Sequence, residues 1–146
     1  MALGYCAPAA DTLRSDELRV TVHETSIWNN MMPGSAPVSH ALVTVTIRNM
    51  TEETVRLSGA EGLVTDALTD APLRRFDAAF VVEDVERSET GLDPGKELQL
   101  TFRSRRGLAP LDPARHRSLF LAIRVSTSLG RDLVFRSGPV DLLIAQ

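Results

Sequence analysis

From Glu17 onward, apolar and polar residues alternate with a period of two in segment after segment. Leu18, Val20 and Val22 fall on one side of an extended chain and Arg19, Thr21 and His23 on the other, which predicts a half-buried strand. The pattern is clearest in "ALVTVTIRN", where Val43, Val45 and Ile47 face one way and Thr44, Thr46 and Arg48 the other. β-branched side chains are stiff at their first torsion and suit a pleated surface. That run ends at Asn49, a residue that tolerates left-handed backbone. Leu98, Leu100 and Phe102 alternate with Glu97, Gln99 and Thr101, and Leu119, Leu121, Ile123 and Val125 make a further strand.

Weaker signals fill the gaps. Val55 and Leu57 give a short strand closed by Gly59; others are predicted near Leu63–Thr65, Phe76–Val82, Leu133–Arg136 and Val140–Ala145. A helix over Asp77–Glu86 is the alternative in the middle, against which Phe80, Val81 and Val82 weigh. "NNMMPGSAP", from Asn29 to Pro37, reads as a loop, as does Ser104–Arg117, within which Asp112 can cap a single turn begun by Pro113. Gly138-Pro139 separates the last two strands. In "GLDPGKELQLTF", Asp93, Pro94 and Gly95 match the first three positions of a type II turn: proline presets the second φ and glycine accepts the positive third. Seven to nine short strands and no long helix predict an all-β, immunoglobulin-like β-sandwich. Its single domain spans residues 17–146, behind a flexible tail of residues 1–16. The predicted core includes Leu18, Val20, Val22, Val43, Val45, Ile47, Leu98, Leu100, Phe102, Leu121 and Ile123.

Composition narrows the function classes. A chain of 146 residues buries a sizeable core, and a net charge of -3 argues against a nucleic-acid partner. Cys6 is the only cysteine, which excludes an internal disulfide and a cysteine-based zinc cage. No apolar run approaches the ~20 residues of a transmembrane helix. The start, "MALGYCAPAADTLRSDE", lacks the basic residues and long apolar stretch of a secretory signal. The chain is then cytoplasmic, or a mature form whose signal Met1 replaces. "LGYC" resembles a lipoprotein anchor, but Tyr5 stands where cleavage needs a small residue.

The order "ALVTVTIRNMTEETVRL", "LDPGKELQLTF" and "LFLAIRV" resembles the telokin-like, immunoglobulin-fold domains of bacterial envelope proteins and lipoproteins. Asn49 matches the end of their second strand, and Val55 and Leu57 match the apolar pair beyond the polar turn. Leu92, Pro94, Gly95 and Phe102 match their turn into a strand ending in an aromatic. The resemblance spans roughly Leu18 to Ile144 and brings no catalytic residues. It implies a non-enzymatic interaction or accessory role with another protein as partner, in the periplasm or cell envelope. The cysteine pair and the late tyrosine of antibody domains are absent.

Candidate chemistry is sparse. His23, His40, Met31, Met32 and Met50 are soft ligands suited to Cu(I), and "WNNMMPG" before "ALVTVTIRN" is similar to periplasmic copper chaperones. Those proteins add a late His-x-Met pair, where this chain has His116, Arg117 and Ser118. Glu83, Asp84, Glu86, Glu89 and Asp93 lack the glycine-bearing loop of a calcium site and read as a solvated edge. Nothing matches a nucleophile elbow or a phosphate-cradling glycine loop, so no enzyme is predicted and no cofactor. Arg103, Arg105, Arg106, Arg115 and Arg117 form a candidate anion-binding loop. Trp28, Met31, Met32 and Pro33 form a candidate partner-binding loop, since two adjacent methionines beside Pro-Gly cannot both enter a core. The alternative is that Trp28 plugs one end of the sandwich.

Overall fold

The computed structural model describes residues 12–14, 16–31, 33–34 and 36–145. Among the described residues lie nine strands: β1 (Leu18–Asn30), β2 (Val38–Asn49), β3 (Val55–Asp66), β4 (Pro72–Val82), β5 (Val85–Arg87), β6 (Thr90–Leu92), β7 (Glu97–Ser104), β8 (Ser118–Thr127) and β9 (Leu133–Ala145). They hydrogen-bond in the order β5-β4-β7-β2-β1-β9-β8-β3-β6, and a β4–β3 pairing closes the sheet on itself. β4 is the corner. Its first part, up to Ala78, pairs with β3, and Ala78–Val81 pair with β7. The fold is thus an all-β sandwich closed into a barrel, in a single domain. All pairs are antiparallel except β1 with β9, which run parallel over Ile27–Asn30 and Leu142–Ala145.

The alternation seen in the sequence builds the core. Val43, Val45, Ile47, Leu100, Phe102, Leu121 and Ile123 are all buried. At the centre Phe102 meets Phe80 edge-on at 5.5 Å and Phe135 at 5.7 Å. Val20 and Leu98 are half-buried. Val22 is a correction: it is 39% exposed, because β1 has only β2 beside it there and its register shifts between Val22 and Glu24.

Other boundaries differ from the sequence reading. β1 continues through Trp28, Asn29 and Asn30, so the loop after it is shorter. β3 runs unbroken from Val55 to Asp66, and β9 continues through a cis Gly138-Pro139 bond. Strand prevails over helix in the middle. The 93–96 turn is as expected: Gly95 has φ +74° and Lys96 N–H donates to Asp93 O at 3.1 Å. Asn49 does more than end a strand. Its buried amide donates to Glu53 O and Leu92 O, both at 2.8 Å, and Thr51 N–H and O–H donate to its oxygen.

The long connection from β7 to β8 lies pinned across one end of the barrel. Ser39 and Leu108 exchange backbone hydrogen bonds at 2.9 and 2.8 Å. The Arg74 guanidinium donates to Ala109 O and Pro110 O, each at 2.8 Å. Asp112 caps its single turn, accepting from Ala114 N–H at 2.9 Å. His116 Nδ1 lies 2.8 Å from Asp66 Oδ2, and the other carboxylate oxygen accepts from the Leu68 and Thr69 amides. The hydrogen bond from His116, then that from Leu68, holds the Asp66 carboxyl below its usual value. Thr12 bridges to Asp132 and Leu13 is buried, so these residues belong to the fold. Residues 1–11, with Tyr5 and Cys6, lie outside the described chain.

Candidate interaction surface

Alternation in β1 sends Ile27 and Asn29 inward and Trp28 outward. Trp28 therefore neither sits in a loop nor plugs the barrel end; it lies half-buried on the outer face. Its cross-strand partner on β2 is His40, and the two rings stack with centroids 5.2 Å apart and planes at 30°. On its other flank the parallel register sets Leu143 of β9 beside it. Leu143 is 54% exposed, Ile144 53% and Met31 43%. An outward aromatic pair thus stands beside exposed Leu143, while Ile144, in register with Asn29, and Met31 are exposed at the same end of the sheet.

Beneath this face the backbone is held by a buried polar network. Asn29 donates to Leu111 O at 2.8 Å, Leu111 N–H donates to Ser39 Oγ at 3.0 Å, and the Ser39 hydroxyl donates to Asn29 Oδ1. Burying such groups is costly unless they are paired, and here they fix β1, β2 and the β7–β8 connection together. The same network explains why the strand was hidden in the sequence. A polar residue at the inward position 29 breaks the apolar alternation that would have announced it.

Pro33 is exposed in the turn after Met31, and Met32 lies outside the described residues. The four described soft ligands do not converge. His23 is five residues from Trp28 along β1, roughly 16 Å of strand, and is engaged by Thr46 Oγ1 at 2.6 Å. Met50 follows Asn49 at the opposite end of the β1–β2 pair from Met31. As one copper site, the five do not fit. Among the described ones, only His40 and Met31 share an end of the sheet. Among the described residues no group of three or more His, Cys, Asp or Glu is placed to hold a metal.

The arginines divide. Arg103 and Arg105 both pair with Glu86, at 3.1 and 3.2 Å. Arg106 is exposed beyond them in the connection. Arg115 and Arg117 are exposed on the Asp112 turn, where Arg117 O accepts from Leu142 N–H. Of the acids, Glu89 pairs with Arg56 at 3.0 Å.

No family model matches the chain, and no curated protein matches it. Solved structures of similar fold include a copper-bound PCuAC domain from PmoF2, at 10% identity and TM-score 0.47 over 82% of this chain and 90% of that one. An uncharacterised β-sandwich protein from Clostridium difficile is 15% identical, with TM-score 0.42 over 86% and 89%. The sporulation control protein Spo0M from Bacillus subtilis is 12% identical, with TM-score 0.43 over 87% of this chain and 49% of that one. Likenesses this distant carry no argument about activity. The all-β sandwich stands on the strand pairing described above.

Proposed function

We propose that the protein is a non-enzymatic interaction or accessory module that binds another protein through the outer face of β1 and β9. The observation that carries this reading is the outward Trp28–His40 stack with exposed Leu143 beside it on β9. Tryptophan and methionine are enriched at protein interfaces, and an aromatic anchor held on a rigid strand loses little entropy on binding. The location that goes with it, the cell envelope, rests on the resemblance of the chain to envelope domains. The test is capture of partners from an envelope fraction with wild type and with Trp28→Ser/Leu143→Ser. Because both side chains point away from the core, the melting temperature should move little while capture is lost. Equal capture by both proteins overturns the reading.

A second reading, a Cu(I) chaperone, is favoured by His40 and Met31 standing at the same end of the β1–β2 pair, with Met32 next in sequence. The copper in the PCuAC structure belongs to that protein. Titration with Cu(I) under reducing conditions distinguishes the two readings. Quenching of Trp28 fluorescence that His40→Ala abolishes supports copper; unchanged fluorescence leaves the protein interface alone in place.

A further inference from the structure

A cleft of about 370 Å³ opens between β4 and the chain leaving β7. Arg75, Arg105 and Arg106 line it, with Asp77 as its one carboxylate and Phe76 and Leu108 as apolar wall. The volume is that of a small-molecule site. Its two walls are tied together, since Arg105 N–H donates to Asp77 O at 3.1 Å. The far rim is equally fixed. Gly107 lies so close to Val38 that an added Cβ would come within 2.8 Å of the Val38 Cβ, and Leu108 is hydrogen-bonded both ways to Ser39. The loop that carries Arg106 is thus held in place before any ligand arrives.

The positive charge in this cleft is only partly neutralised by the protein. Glu86 is divided between Arg103 and Arg105, at 3.1 and 3.2 Å. Arg75 reaches Glu61 only at 4.0 Å. Arg106 makes no ion pair or side-chain hydrogen bond among the described residues. Guanidinium groups match oxyanions with two parallel N–H donors, and here Arg106 has no carboxylate of its own and stands between Arg105, whose carboxylate is shared, and Arg75, whose carboxylate is distant. We propose that the cleft binds the phosphate group of a small phosphorylated molecule, with Asp77 accepting a hydrogen bond from a hydroxyl or amine beside it. This inference is independent of the Trp28 surface. It also redraws the cationic loop suggested by the sequence: Arg75 enters from β4, while Arg103, Arg115 and Arg117 are not among the residues lining the cleft.

The experiment is calorimetric titration with inorganic phosphate, phosphoserine and serine, on the wild type and on Arg106→Ala, Arg75→Ala and Arg117→Ala. Phosphate and phosphoserine should bind and serine should not, and tighter binding of phosphoserine identifies a phosphomonoester rather than free phosphate as the ligand. Arg106→Ala and Arg75→Ala should each weaken binding about tenfold, or ~1.4 kcal/mol. Arg117→Ala should leave it unchanged, and all three variants should keep the wild-type melting temperature. Should a variant fail to fold, amide shifts on adding phosphate to the wild type must centre on residues 75–77 and 105–108. Absence of binding at about 10 mM, ten times a millimolar Kd, overturns the proposal. So does equal weakening by Arg117→Ala, which would mean diffuse charge and no site.

Discussion

At Gly95 the backbone holds φ +74°, and a Cβ added there would meet no atom within 4 Å. The cost of a side chain is therefore torsional and not steric. Gly95→Val should destabilise the domain by about 1 kcal/mol or more, since a β-branched residue resists positive φ. A urea midpoint equal to the wild type would show the turn to be wrongly assigned. This residue was legible because turn chemistry is local: proline and glycine in succession state their own torsions. Gly62 was not. The Phe76 ring lies over it, so near that an added Cβ would fall 2.1 Å from its Cζ. Its reason for being glycine is a residue on another strand. Asn49 is intermediate, readable as the end of a strand but not as the group that ties Glu53 O to Leu92 O.

Among elements, β2, β7 and β8 were legible outright, because each alternates a buried face with one that, Ala122 apart, is at least partly exposed. β3 and β9 were each read as two pieces. Gly59 to Gly62 and Gly138-Pro139 look like breaks locally, yet partners in neighbouring strands carry the chain across them. β5 and β6 have three residues each and exist because β4 and β3 offer an edge. The contact between His116 and Asp66 joins the β7–β8 connection to the turn after β3, and no periodicity could announce it. Its consequence is a pH dependence. The Asp66 carboxyl is held low, first by His116 and then by the Leu68 amide. The stability it confers is complete above the ordinary aspartate range and is lost as pH falls through the lowered value. Asp66→Asn should thus unfold at lower urea than wild type at neutral pH, with the gap narrowing below about pH 4. A gap that stays constant into acid would show that the carboxylate contributes nothing through its charge.

For the whole molecule, the closed ring predicts one cooperative unit. Trp28 is the only tryptophan and sits where β2, β1 and β9 meet, so its fluorescence reports on the junction while far-ultraviolet circular dichroism reports on all strands. The two signals should give the same denaturation curve. Two separate midpoints would mean that the junction opens before the rest. The class of fold was legible at this scale from strand number and turn spacing. The closure was not, because pairing between remote strands leaves no mark on either sequence. The parallel pairing of β1 with β9 also sets an order of events in time. Ile27–Asn30 of β1 gain their second neighbour only from Leu142–Ala145, at the other extreme of the chain. Contacts of such separation form slowly, and until they form that stretch of β1 keeps a bare row of N–H and C=O groups. A nascent chain halted before Leu142 would present that row to other chains, and aggregation of such fragments would begin there.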